Sequence, residues 1–208
     1  MPVVIIAEKP SVAADVAKVL GVTSKQDTHW QSDKIWVTWA VGHLLELKTP
    51  EEYDESFKNW RGSIDKLPFI PEHFELKPIT GRGSNRKQLT AIKKMITSKD
   101  CTEVVNACDA AREGELIFRY LLQLANINKE FDVRRMWMQS MTDDAIIEAW
   151  GQMRGDKEML PLADAALCRS ESDWLIGLNG TRALTAFNSR NGGFNVTTAG
   201  RVQTPTLC

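Results

Sequence analysis

Val104-Val105-Asn106-Ala107-Cys108-Asp109-Ala110-Ala111-Arg112-Glu113-Gly114-Glu115 decides how this chain folds. Four residues of a buried strand run straight into three carboxylates and an arginine. Like charge at that density is unfavourable unless a cation or a charged ligand neutralises it. After Gly114, the apolar positions Ile117, Phe118, Leu121, Leu122 and Ala125 fall on one helical face, so the acids stand between a strand and a helix. A second strand, Val3-Val4-Ile5-Ile6, also ends on an acid, Glu8, followed by Lys9-Pro10-Ser11. Pro10 suits the first turn of a helix carrying Val12, Val16 and Leu20, which Gly21 ends.

Working outward, Ile35–Trp39 is rich in β-formers and leads into Val41-Gly42-His43. A helix is predicted from about Arg86 to Ile96, after a loop at Gly81–Asn85. Val133–Met138 is a further strand, and Thr142–Trp150 a helix with Thr142 as its cap. Strands alternating with helices predict an α/β fold, a Rossmann-like parallel sheet flanked by helices. Ligands gather beyond the carboxyl ends of such strands, where Glu8, Asp109 and Glu113 are expected. Thr49–Pro78 is rich in proline, acids and aromatics and reads as a long surface excursion. Gly151, Gly155 and Pro161 suggest a boundary, giving domains over 1–153 and 154–208. The second is mainly helical, with Trp174, Leu175 and Leu178 on its apolar side.

The 208 residues are 43% hydrophobic, enough for a core. No apolar run approaches the roughly 20 residues that span a bilayer, and the start lacks a signal peptide's basic and cleavage regions. Cys101, Cys108, Cys168 and Cys208 have neither CxxC spacing nor a histidine pattern, as expected for reduced thiols in a cytoplasmic protein. The net charge is −1, but its distribution is uneven. Residues 46–75 hold eight acids against four bases, whereas 77–99 hold seven bases and no acid. The second stretch suits a polyanion or a solvated helix face.

Hard oxygen ligands at strand ends suit magnesium when phosphate completes its shell. Glu8, Asp109 and Glu113 form that set. Glu115 and His43 are placed to orient it, and Lys9 and Arg112 supply positive charge for a phosphate or a developing oxyanion. An acidic helix start complementing the macrodipole is the alternative for Arg112–Glu115. Gly81-Arg82-Gly83-Ser84 lacks the Gly-Lys-Ser/Thr ending of a phosphate loop.

Across its whole length the chain resembles the TOPRIM module of type IA DNA topoisomerases, of the bacterial topoisomerase III-like branch, continued by the start of the helical DNA-binding domain. The resemblance rests on Glu8–Ser11, Val41–Glu46, Asp109–Glu115, Met138–Thr142, Ser172–Gly177, Thr181–Leu184 and Gly200–Pro205, in that order. It implies that Glu8 and Lys9 act beside the scissile phosphodiester and that Asp109 and Glu113 bind Mg2+. It places Arg135, Arg169, Asp173, Arg201 and Gln203 near a single-stranded DNA path, to which Arg182 adds a phosphate contact. Such enzymes cut one strand through a tyrosine, keep the 5′ phosphate on it, pass a strand and reseal.

Two departures stand out. Where the family often reads Asp-x-Asp-x-Glu, the middle position is Ala111, which should weaken metal affinity. The only tyrosines, Tyr53 and Tyr120, lack a following Arg-Thr-Asp. The expectation is an amino-terminal part of a longer, nucleoid-associated cytoplasmic enzyme, inactive in strand cleavage without its carboxyl-terminal domains. A TOPRIM-type DNA-binding module, or a metal-dependent nuclease or primase-like protein, is the alternative.

Overall fold

The computed structural model describes residues 2–79, 83–125, 131–189 and 192–207. The Gly81-Arg82 part of the predicted loop, Arg190 and Cys208 fall outside them. The chain divides into two compact units. The first comprises 1–46 and 78–166, the second 47–77 and 167–208.

In the first unit, β1 (Val3–Ala7), β4 (Ile35–Trp39), β7 (Glu103–Ala107) and β8 (Asp132–Arg135) are the parallel centre of a seven-stranded sheet. The antiparallel β2 (Ser24–Lys25) and β3 (His29–Gln31) extend one edge, and β9 (Arg154–Gly155) the other. The strand order is β2-β3-β4-β1-β7-β8-β9, so the fold is the expected α/β class with antiparallel margins. Ala7 is level with both Trp39 and Ala107. This register brings the two acid-bearing strand ends side by side.

β1 and the middles of β4 and β7 are largely apolar on both faces, as sheets covered by helices require. On one face Ile5, Ala7, Val37, Val105 and Ala107 form a core with Val12, Ala13 and Val16 of α1 (Pro10–Val19) and Ile146 and Ala149 of α4 (Asp143–Gly151). The Thr142 hydroxyl accepts from the Ala145 amide, making it the cap that was expected. The other face carries α2 (Gly83–Ile96) and α3 (Arg112–Ala125). Gln88 of α2 donates to the Thr38 hydroxyl and to the Thr28 and Trp39 carbonyls, satisfying a buried polar patch under the helix. Cys108 is fully buried, which pushes its thiol up to about 12.

In the second unit the proline-rich excursion is a packed element, not a solvated loop. It makes three short 3₁₀ turns, and Phe57, Phe69 and Phe74 cluster with Tyr53 and Trp174. The Trp174 indole donates to the Lys48 carbonyl. The strands β5 (Leu45–Leu47) and β6 (Leu76–Pro78) pair with each other, and the helix α5 (Asp156–Asn188) follows β9. Pro161 lies inside α5 without ending it. Gly151 closes α4 and Gly155 pairs in β9, so neither marks a linker. A division by packing therefore differs from one at 153/154, because the aromatic excursion buries itself with the carboxyl-terminal segment. The short helix α6 (Gln203–Leu207) follows. No described helix is long and apolar enough to cross a membrane.

Candidate functional site

Beyond the carboxyl ends of β1 and β7, Lys9 extends its ammonium between two carboxylates. Its Nζ is 3.4 Å from Glu8 Oε1 and 3.4 Å from Asp109 Oδ2. Glu8, and then Asp109, hold that ammonium above the ordinary lysine range. Glu8 is nearly buried, and its second oxygen, Oε2, has no hydrogen-bond partner. A buried carboxylate oxygen without a donor is costly unless a cation or a proton reaches it. Two acids converging on a cationic centre thus fit a hydrated divalent ion, with one oxygen still available to it.

Glu113 is engaged elsewhere. Its Oε1 contacts His43 Nε2, a ring delivered by an unusual turn. Val41 adopts φ +55° and Gly42 +73°, and the Gly42 amide donates to the Glu8 carbonyl. A β-branched residue at positive φ is strained, a feature that recurs at functional sites. Among the described residues no three His, Cys, Asp or Glu side chains form a ready-made metal cluster. Of the expected set, Glu8 and Asp109 meet at Lys9, while Glu113 contacts His43. Arg112 opens α3 as an exposed residue.

The acid-bearing loop is fixed from beneath. Arg135, which the resemblance puts near a DNA path, is instead one of the most buried side chains, 1% exposed. Its Nη1 donates to the Asn106 carbonyl, to Asn106 Oδ1 and to the Cys108 carbonyl, and its Nη2 donates to the Asp109 carbonyl at 2.6 Å. A guanidinium enclosed this way braces the loop and has no face left for a nucleic acid. Burial lowers its pKa from the ordinary arginine value. Asn106 Nδ2 in turn donates to Glu115 Oε2, Arg119 Nε to Glu115 Oε1, and Arg119 Nη2 to Asp156. Glu115 is thus an internal anchor that acts on Asp109 through Asn106 and Arg135, rather than an exposed charge at a helix start.

Gly114 is the residue that sequence reasoning undervalued. A Cβ there would meet the Asp109 carbonyl oxygen at 2.3 Å and its amide nitrogen at 2.8 Å. The first turn of α3 lies directly on the Asp109 backbone, which only glycine permits. The readable signal was a glycine between two acids in an otherwise helical segment.

In the second unit Arg182 is also buried. It donates to the Phe57 carbonyl, contacts Glu51 and lies 4.8 Å from the Trp60 ring centre. The contacts it makes here are to the protein itself. Asp173 and Arg169 share a helix turn, yet the principal partner of Asp173 is Arg201, with Nε–Oδ1 at 2.5 Å and Nη2–Oδ2 at 3.4 Å. Arg169 Nε stands 3.8 Å from Asp173 Oδ2. Gln203 donates to Thr198 Oγ1 at 3.4 Å and is exposed. Arg169, Asp173, Arg201 and Gln203 form an accessible, basic-edged surface. Neither tyrosine is poised as a nucleophile: Tyr120 is buried in α3, and the Tyr53 hydroxyl donates to the His73 carbonyl and accepts from the Glu75 amide.

The Toprim domain family matches residues 3–141, and the DNA topoisomerase family matches 157–208. The chain is 43% identical over 205 residues to DNA topoisomerase 3 of Bacillus subtilis (strain 168) and to that of Bacillus anthracis. It is 41% identical over 203 residues to DNA topoisomerase 3 of Shouchella clausii. Each alignment covers 98% of this chain and 26% of the relative, so the chain spans about a quarter of the length of the curated relatives it matches. With its parallel sheet, its paired strand-end acids and a matching segment on either side of Asp156, the chain belongs to the Toprim domain family and joins that domain to a segment of the DNA topoisomerase family.

Proposed function

We propose that this chain is the metal-binding and strand-positioning part of a type IA DNA topoisomerase of the topoisomerase III-like branch. The observation that carries the reading is the Lys9 ammonium held between Glu8 and Asp109 at adjacent strand ends. The family implies a divalent metal, and we assign Mg2+, since the donors are hard carboxylate oxygens. Glu8 and Asp109 would hold it, with Glu113 as a further oxygen donor. A bound ion supplies charge compensation for the phosphate.

In the proposed reaction a tyrosine oxygen, supplied by another part of the enzyme, attacks phosphorus in one strand. The bond from phosphorus to the 3′ oxygen breaks, and the 5′ phosphate remains on the tyrosine. Lys9 stabilises the charge that builds on the phosphoryl oxygens. The tyrosine gives its proton to solvent as it attacks, Glu8 passes a proton to the departing 3′ oxygen, and the reverse sequence reseals the strand. Arg169, Asp173, Arg201 and Gln203 position single-stranded DNA through its backbone, without reading sequence. We place the division between the two family segments at 153/154, and the protein in the cytoplasm beside the nucleoid.

Manganese, followed by its electron paramagnetic resonance signal, tests the metal assignment on the 208-residue chain. Glu8→Gln and Asp109→Asn should each weaken binding about ten-fold or more. Equal affinity in wild type and both variants would refute it. With Mg2+ and supercoiled plasmid the chain should leave the plasmid supercoiled. Linear or nicked product would favour the nuclease alternative instead.

A further inference from the structure

The acid-free stretch from Lys77 to Lys99 plays no part in the reaction described above. Within it α2 exposes Arg86, Lys87, Lys93 and Lys94, and Lys99 follows the helix. Lys87, Ala91 and Lys94 recur at helical spacing, so they share one face of α2. That face borders a groove of about 670 Å³ whose opposite wall is Trp36 of β4 and His29 and Gln31 of β3. The two rings lie 6.2 Å apart, tilted by 58°. His29 is fixed by its neighbours: Nδ1 pairs with the Thr28 hydroxyl and Nε2 with Gln31, each at 3.1 Å. Trp36 is half-buried and stands apart from the core that holds Trp30 and Trp39. It sits near the amino end of β4, whereas Glu8 and Asp109 follow the carboxyl ends of β1 and β7.

We infer that this groove is a second nucleic-acid subsite, which takes an unpaired base against Trp36 while the α2 lysines hold the adjoining phosphates. The physical grounds are threefold. The volume lies within the range of pockets that enclose a small planar ligand. A fixed aromatic wall offers stacking that any base can use. The α2 wall carries positive charge on long stems able to follow a backbone, and Asp27 pairs with Lys87 at 2.9 Å. A duplex conceals its base faces, so the occupant is single-stranded. The inference goes beyond the metal-site reading, because none of its residues touches Glu8, Lys9 or Asp109.

Fluorescence anisotropy of a fluorescein-labelled oligothymidylate, titrated in EDTA at several salt concentrations, tests the subsite. Trp36→Leu should weaken binding about ten-fold. Lys94→Gln should reduce the slope of log affinity against log salt by about 0.7, the value for one phosphate contact on a single strand. A bromodeoxyuridine-substituted strand should cross-link to the peptide containing His29 and Trp36. Both variants should bind manganese as the wild type does, which separates failure here from failure of the metal assignment. Should Trp36→Leu not fold by circular dichroism, the Lys94→Gln slope and the cross-link still decide the matter. Unchanged affinity and slope, cross-links confined to other peptides, or occupation by an acidic peptide in place of the oligonucleotide would each overturn the inference.

Discussion

Two arginine–carboxylate systems in this molecule use the same chemistry to opposite effect. In the first unit Arg135, Glu115, Asn106 and Arg119 form a chain of hydrogen bonds, with the Arg135 and Glu115 side chains each 1% exposed. In the second unit Arg201, Asp173 and Arg169 meet with 42%, 43% and 49% of their side chains exposed. An enclosed charge is held by the hydrogen bonds it makes, and in return fixes the backbone around it. An exposed pair exchanges readily with water and remains free to change partners. The first arrangement suits a loop that must present Asp109 in one position. The second suits a surface that receives a flexible strand.

The sharpest way to break this contrast is Arg135→Leu. It leaves the Cys108 carbonyl without its donor and removes the countercharge 3.7 Å from the buried Glu115 carboxylate. We expect a loss of about 3–5 kcal/mol in urea unfolding, together with weaker manganese binding. A loss under 1 kcal/mol would mean that the brace is not structural. Gly114→Ala should cost less, about 1–3 kcal/mol, as the α3 start is pushed off the Asp109 backbone. A crystal structure of that variant should show Asp109 displaced, and an unshifted loop would refute the close approach. In the second unit, Arg201→Ala should leave stability nearly unchanged, because an exposed ion pair contributes little. Its effect should instead be a reduced salt dependence of single-strand binding.

The smallest effect is a pH dependence. The hydrogen bond from Arg201, and then the charges of Arg201 and Arg169, hold the Asp173 carboxyl below its ordinary range. A carboxyl lowered by folding contributes stability above its unfolded pKa of about 3.9, and loses it as pH falls through the folded value. Wild type and Arg201→Ala should therefore differ in urea midpoint at pH 7 and converge in acid, below about pH 4. High salt should shrink the pH 7 difference. A gap that persisted in acid would assign the contribution to packing.

Much of this was legible beforehand because period and punctuation reveal strands and helix starts. Val3–Ala7 and Glu103–Ala107 were evident as apolar runs, and their trailing acids implied convergence. The predicted strand Val133–Met138 shortened to Asp132–Arg135, and α3 began at Arg112, ahead of Gly114. Burial of charge was harder to read. Arg134-Arg135 looks like surface in one dimension, yet register sets Arg135 opposite Asn106, on the inward side, and Arg134 opposite Val105. The burial of Arg182 was hidden for the same reason, since its partners Glu51 and Phe57 are more than 120 positions away. Pro161 and the neighbouring glycines suggested an interruption that the long helix absorbs. The partner of Glu113 depended on the backbone twist at Val41-Gly42, which no pattern of residue types disclosed.

The missing side chain at position 114 has a mechanical consequence. With a peptide group seated against the opening coil of α3, no compliant layer separates that helix from the residue bearing the Asp109 carboxylate. A tilt or slide of the helix is passed on undiminished, and the acid inherits the stiffness of the interior although it faces solvent. Its position is therefore a property of the whole sheet-and-helix layer, and distant core substitutions that shift α3 should be felt there first.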